Sequence, residues 1–313
     1  MVVEFILTGL VDASIILFGS IGLSLLYGVK RFANFAHGDM MTLGAYLALA
    51  VALSTRGNLV LGLIVSMVIM AAVGIVLEIL IFSRLEGKGP IAPLIATVGL
   101  SFVLQNLVGL LFGGTDKVYP GQLVNNWIVG PFSINPIRDF IPLVAGFSAA
   151  IGILLLLRYT KLGKAMRAMA DNPELARTSG VNTRTVTFAT WAISAAFAGA
   201  GGVMLGVNQG LTLTMGFNVL LLLFSSVILG GIGSVPGSII GALAIGFADA
   251  LFFPFAIALN IPTTWYLTVP FGLMVIMLII RPSGLLGKAI GREERSFLTY
   301  LRDSLHGFRR RSD

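Results

Sequence analysis

Few side chains in this 313-residue chain could do chemistry. There is no Cys, which excludes thiolate metal sites, cysteine nucleophiles and disulfides. The two histidines, His37 and His306, are too few for a His-built metal or acid–base cluster. Asp12, Glu78 and Asp249 fall within long apolar stretches. Asp12 and Asp249 have no basic residue in any such stretch, and Glu78 stands near a helix end from which it can snorkel outward. Neither paired carboxylates nor a nucleophile–base set is visible, which makes a membrane-embedded enzyme the weakest class. Gly284-Leu285-Leu286-Gly287-Lys288-Ala289 lacks the phosphate-loop pattern, so the energy for any active transport comes from another subunit. Ion-coupled carriers place ionisable groups near the bilayer midplane, and the chain offers little of that kind.

The polar features that remain are two interruptions of apolar helices. One is Asn34-Phe35-Ala36-His37-Gly38-Asp39; the other is Gly230-Gly231-Ile232-Gly233-Ser234-Val235-Pro236-Gly237-Ser238. Irregular backbone at membrane depth is tolerated only where it is buried in protein or lines a watery cavity, and paired interruptions point to a substrate path. Each precedes a Gly-Ala step, Gly44-Ala45 and Gly241-Ala242, a hint of a pseudo-repeat. The opposing readings are structural. Asn34 and Asp39 can cap helix ends around an interfacial turn, and glycines 233, 237 and 241 have the small-xxx-small spacing of close helix packing. His37 beside Asp39 reads either as a proton relay or as a buried imidazole bonded to backbone. Gln105 and Asn106 line a path or bond between helices.

The elements that position these residues follow from composition. Hydrophobic residues are 56% of the chain, charged residues 11%, and mean hydropathy is +0.94. Soluble domains carry about 25% charged residues, so the chain reads as an all-α integral membrane protein of the cell membrane, and not as a disordered one. About nine apolar segments, near 5–29, 39–54, 59–82, 91–112, 139–157, 186–207, 218–232, 238–259 and 265–280, are continuous rather than alternating, which predicts helices and not barrel strands. Segments 39–54 and 218–232 are short, so eight crossings with a re-entrant piece is the alternative topology. With nine crossings, all of the 21 Lys and Arg except Arg56, Lys117 and Arg138 fall on one side. That bias predicts an outside N-terminus, a cytoplasmic C-terminus and a cytoplasmic 158–185 connection. The net charge of +7 then reflects topology and implies no nucleic-acid partner. Glu4 and Asp12, with no early Lys or Arg, do not fit a cleavable signal.

The 158–185 connection predicts a short helix over Pro173–Ser179. Asp171 or Asn172 caps it, Pro173 and Glu174 suit its first turn, and Gly180 supplies a left-handed stop. Such a stub is either a docking element or a solvated loop. The 113–138 connection is rich in turn formers; Trp127 and Phe132 suit an interfacial belt or an external partner. Residues 1–290 form the transmembrane unit. The tail 291–313 places Phe297, Leu298, Leu301, Leu305 and Phe308 on one face and basic residues on the other, which predicts an amphipathic helix on anionic membrane lipid.

Tyr27-Gly28-Val29-Lys30-Arg31-Phe32-Ala33-Asn34-Phe35-Ala36-His37-Gly38-Asp39, with Leu43-Gly44-Ala45-Tyr46, resembles the NFAHGE…GAY signature of LivH-type permeases, subunits of ABC importers for branched-chain amino acids. Asp39 stands where the family usually has Glu. Glu174-Leu175-Ala176 followed by Gly180 is similar to the E-A-A-x-x-x-G motif of bacterial ABC permeases, with Leu175 departing at its second position. Gly230 to Gly237 and Arg281 to Gly287 also look like family blocks, and the likeness spans about 5–290. The resemblance implies a LivM-type second permease, LivG- and LivF-type ATPases and an extracytoplasmic substrate-binding protein. It implies that the chain is no enzyme and holds no cofactor, ATP being bound by the partner ATPases. It assigns ATPase coupling to Asp171, Asn172, Pro173, Glu174, Leu175, Ala176 and Gly180. It assigns a path or gate to Asn34, Phe35, His37, Gly38, Asp39, Gly230, Gly231, Gly233, Ser234, Pro236 and Gly237. Close relatives carry urea or short amides; Phe35 leans towards amino acids. A stand-alone carrier or channel is the competing class.

Overall fold

With no water in the bilayer core, a backbone that crosses it must satisfy its own hydrogen bonds, and the continuous apolar runs do so as helices. The computed structural model describes residues 2–120, 127–129, 132–260, 262, 265 and 267–287; the tail 291–313 lies outside them. Every apolar segment is helical: α1 (Val2–Lys30), α2 (His37–Ser54), α3 (Leu59–Leu80), α4 (Ile91–Phe112), α5 (Ile141–Tyr159), α8 (Thr183–Gln209), α9 (Met215–Gly230), α10 (Val235–Ala258) and α11 (Thr268–Ile280). Between α5 and α8 lie α6 (Lys161–Asp171) and α7 (Pro173–Thr178). Six helices, α1, α3, α4, α5, α8 and α10, are long and apolar enough to cross a membrane; α9 has 16 residues and α11 has 13. In the 113–138 connection, β1 (Trp127–Val129) and β2 (Phe132–Ile134) form an antiparallel hairpin that turn-rich composition alone does not reveal.

The core is built on α1 and α8, which are mostly buried, whereas most residues of α3, α4 and α5 are only half-buried or exposed. Small residues let the central helices touch. Gly44 of α2 packs on Gly199 of α8, and a side chain at Gly202 would strike the Met41 backbone. Close approach of this kind is how membrane helices gain packing energy where lipid is as apolar as Leu. Leu110 on α4 is 83% exposed, as a lipid-facing side chain should be.

The connectors gather at two ends of the bundle. At one end Lys117 and Leu211 pair through their backbones, the Arg138 guanidinium donates to the Asn208 carbonyl at 2.7 Å, and Gly57 faces Pro120. Tyr119, buried there, donates to the Ala45 carbonyl at 2.9 Å; burial, reinforced by Tyr46, pushes its hydroxyl pKa up and keeps it a neutral donor. At the other end Lys30 meets Glu78 at 2.9 Å and Glu86 at 3.6 Å, and Gly233 packs on Gly28. Glu78 therefore does not snorkel. It is 2% exposed and held by a cation 48 residues away in sequence, because an isolated carboxylate at that depth would be costly.

Candidate functional site

The first interruption begins where α1 ends. Arg31 takes a left-handed conformation (φ 57°), and the chain turns back along α1. His37, the first residue of α2, lies against Gly22: a Cβ built on Gly22 would sit 2.9 Å from His37 Cε1. Gly22 precedes Lys30 by about 12 Å of helix rise. Residues 31–36 thus climb back into the bundle and α2 starts at depth. Asn34 makes the turn by accepting the Ala36 N–H at 3.1 Å. Asn34, His37 and Asp39 are all buried. Neither imidazole nitrogen of His37 makes a hydrogen bond of good geometry among the described residues, with the Gly19 backbone its neighbouring polar group.

One stripe of α4 holds this re-entrant stretch. Thr97 Oγ1 accepts the Phe35 N–H at 3.2 Å, Ser101 Oγ donates to Asp39, and Gln105 Nε2 donates to Asp39 Oδ1 at 3.0 Å. Thr97, Ser101 and Gln105 are four residues apart and so share a helical face. That spacing was the signal by which sequence reasoning could have found Thr97 and Ser101. Asn106, next on α4, bonds to its own helix, at the Phe102 carbonyl, and is exposed.

A second helix starts at the same depth. The Gly216 N–H on the first turn of α9 donates to Thr42 Oγ1 at 3.0 Å, and the Gly38 and Gly216 backbones are in direct contact. Phe35 packs on Phe224 of α9 with ring centroids 5.0 Å apart. From their shared starting point α2 and α9 run to opposite ends of the bundle. The start of α2 is therefore flanked by α4 and α9, with Gln105 of α4 half-buried beside Asp39 and Asn218, in the first turn of α9, exposed.

The second interruption sits elsewhere, at the α9–α10 corner. Gly230 lies against Gly237, Gly231 (φ 112°) against Gly284 and Gly287, and the Leu285 and Leu286 N–H groups donate to the Leu229 and Gly230 carbonyls. Ser234 caps α10, accepting the Gly237 N–H at 3.2 Å, and Pro236 occupies its first turn. Backbone packs on backbone throughout this corner.

In the 158–185 connection, Asn172 caps α7 by accepting the Leu175 N–H at 3.0 Å, Pro173 opens it, Glu174 follows, and Gly180 stops the chain with φ 83°. Ala176 is buried and roots the stub, while Leu175 is 63% exposed. The preceding α6 was not expected: its Lys and Arg resemble a solvated loop, yet Gly163, Met166 and Met169 are buried on one face. Asp171 ends α6. The Arg31 guanidinium donates to the Ala170 and Asp171 carbonyls, at 3.2 Å each, tying this segment to the first interruption.

Residues 5–278 match the profile of the family described as branched-chain amino acid transport system / permease component. The chain is 32% identical over 283 residues to the high-affinity branched-chain amino acid transport system permease protein LivH of Escherichia coli (strain K12), covering 86% of this chain and 90% of that one. It is also 28% identical over 184 residues to the permease protein LivM of the same organism, covering 58% of this chain and 42% of that one. Among solved structures, PsaBC from Streptococcus pneumoniae in complex with Fab has a TM-score of 0.50 at 15% identity, covering 90% of this chain and 97% of that chain, a likeness of fold.

Proposed function

The chain belongs to the branched-chain amino acid transport permease family, and from that membership we propose that it forms, with a second permease, the membrane path of an ABC importer for branched-chain amino acids. An extracytoplasmic binding protein delivers the substrate, and separate ATPases supply the work. That one organism has two related permeases, LivH and LivM, named for one transport system supports a related second permease here. The chain itself is not the enzyme and holds no cofactor.

Nine crossings, with the N-terminus outside and the C-terminus cytoplasmic, fit the two clusters of connectors. The end that holds Lys30, Arg31 and α6 carries the basic excess of a cytoplasmic face. The shorter helices α2 and α9 complete their crossings with the irregular stretches that precede them, an arrangement transporters use at substrate sites. Gln105 and Asn218 on a lipid-facing surface would be costly; facing a second permease and an aqueous path they are not. Asp39 fixes Gln105 on that face, Phe35 seals its floor, and Gly38 allows α9 to start beside α2. The corner from Gly230 and Gly231 through Gly233, Ser234, Pro236 and Gly237 gates the cytoplasmic mouth. His37 fills the space between α1 and α2.

The observation that carries the reading is the exposed α7 with its buried root. Glu174 and Leu175 engage an ATPase, Ala176 and the Asn172 cap keep the stub rigid, and Arg31 passes its movement to residues 31–36. The test is uptake by the whole transporter in liposomes. Leucine, isoleucine and valine should enter in an ATP-dependent way, and Glu174→Ala with Leu175→Ala should abolish uptake without loss of membrane-inserted protein. Uptake of urea or short amides instead would reassign the substrate, and ion-driven uptake by the chain alone would restore the carrier reading.

A further inference from the structure

At the end of the bundle that carries α6, a cavity of about 1170 Å³ opens between α1, α5, α6 and the 232–236 and 282–287 segments. Its wall is of two kinds. Leu25, Val29, Leu154 and Leu157, buried or half-buried, make one part apolar, while Arg31, Arg158, Lys164, Arg167 and Asp171 make the other charged. Arg31 is committed to the end of α6, and Arg158 lies over the Tyr159 ring at 5.5 Å. Among the described residues Lys164 and Arg167 have no ion-pair partner. They stand one turn apart on α6, so both reach the same opening. The wall also includes Val235 and Pro236, which open the 24-residue α10, and its cap Ser234; the helix dipole adds partial positive charge there.

We propose that this cavity holds an anionic phospholipid, its phosphate between Lys164, Arg167 and the first turn of α10 and its acyl chain against the leucine wall. Charge complementarity selects the headgroup, and the apolar part selects a lipid over a small anion. The site lies where basic pockets between membrane helices recruit acidic headgroups, and its volume suits a headgroup with its upper acyl chain. The placement on the cytoplasmic leaflet rests on the proposed topology; the binding itself does not. A lipid wedged between α1 and α6 would brace the segment through which α7 is moved.

The test is native mass spectrometry of the purified full chain after delipidation, with phosphatidylglycerol or phosphatidylcholine added back. The wild type should retain phosphatidylglycerol over phosphatidylcholine. Lys164→Gln with Arg167→Gln should weaken phosphatidylglycerol about 25-fold, since each interfacial cation contributes roughly fivefold, and leave phosphatidylcholine unchanged. Lys164→Glu alone, checked for a monodisperse elution peak, should also lose the preference, whereas Arg84→Gln with Lys88→Gln in another connection should keep it. Equal retention by wild type and the Lys164/Arg167 variant overturns the proposal, as does equal retention of the two lipids. Displacement of phosphatidylglycerol by millimolar inorganic phosphate or by an acidic peptide would also overturn it, reassigning the site to a free anion or to a protein partner. Uptake is not read, so failure here leaves the permease reading standing.

Discussion

The two interruptions look alike in sequence and differ in what does most of the holding. At Asn34–Asp39 most of the holding is done by side chains, with one glycine contact, Gly38 on Gly216: Asn34 caps its own turn, Thr97 accepts the Phe35 N–H, and Ser101 and Gln105 hold the Asp39 carboxylate from α4. At Gly230–Gly237 the holding is done by backbone, glycine against glycine, with the 284–287 segment laid across the corner. A side-chain lattice can lose a member and keep its shape. A glycine contact has no slack, because the first added carbon meets another main chain. The difference teaches that a polar break and a glycine break are separate devices, one presenting chemistry to a face and the other setting a close fit.

The largest expected effect is therefore at the second interruption. Gly231→Ala places a Cβ at a positive φ and 2.6 Å from the Gly287 Cα; folded protein should be lost, as read by size-exclusion elution in detergent. Recovery of a wild-type elution profile would erase the contrast. Next comes the buried ion pair beside the first interruption. Lys30→Met leaves Glu78 without its partner and should cost about 3–5 kcal/mol, seen as a lower thermal unfolding midpoint; adding Glu78→Gln should return part of it. Asp39→Ala should cost about 1–3 kcal/mol by orphaning Ser101 and Gln105, while Asp39→Asn should fold near wild type and transport more slowly. Smallest in stability, within about 0.5 kcal/mol, is Glu174→Ala with Leu175→Ala, whose whole effect should fall on uptake.

How far the sequence could be read follows the range of the interactions. The apolar runs mark the long helices, and Asn172, Pro173, Glu174 and Gly180 mark α7 almost to the residue, because capping and left-handed stops are local. The α6 helix was missed although Gly163, Met166 and Met169 share a face, since its cations dominate a short window. Lys30 with Glu78, Gly38 with Gly216 and Ser101 with Asp39 join residues that only the packed bundle brings together. The depth at which α2 begins is likewise tertiary: nothing local to residues 31–36 says that the chain turns back along α1.

In the proposed transporter the flank of α4 that carries Gln105, with Asn218 of α9, borders an aqueous path, while the opposite flank, which carries Leu110, faces lipid. The chain has no cysteine, so Asn218→Cys, Gln105→Cys and Leu110→Cys can each be labelled with a membrane-impermeant maleimide in the assembled transporter. The first two should be labelled, at rates that change with ATP and binding protein, and Leu110→Cys should not. Labelling of Leu110→Cys as fast as the others, or no labelling at Asn218→Cys and Gln105→Cys in any state, would contradict this arrangement.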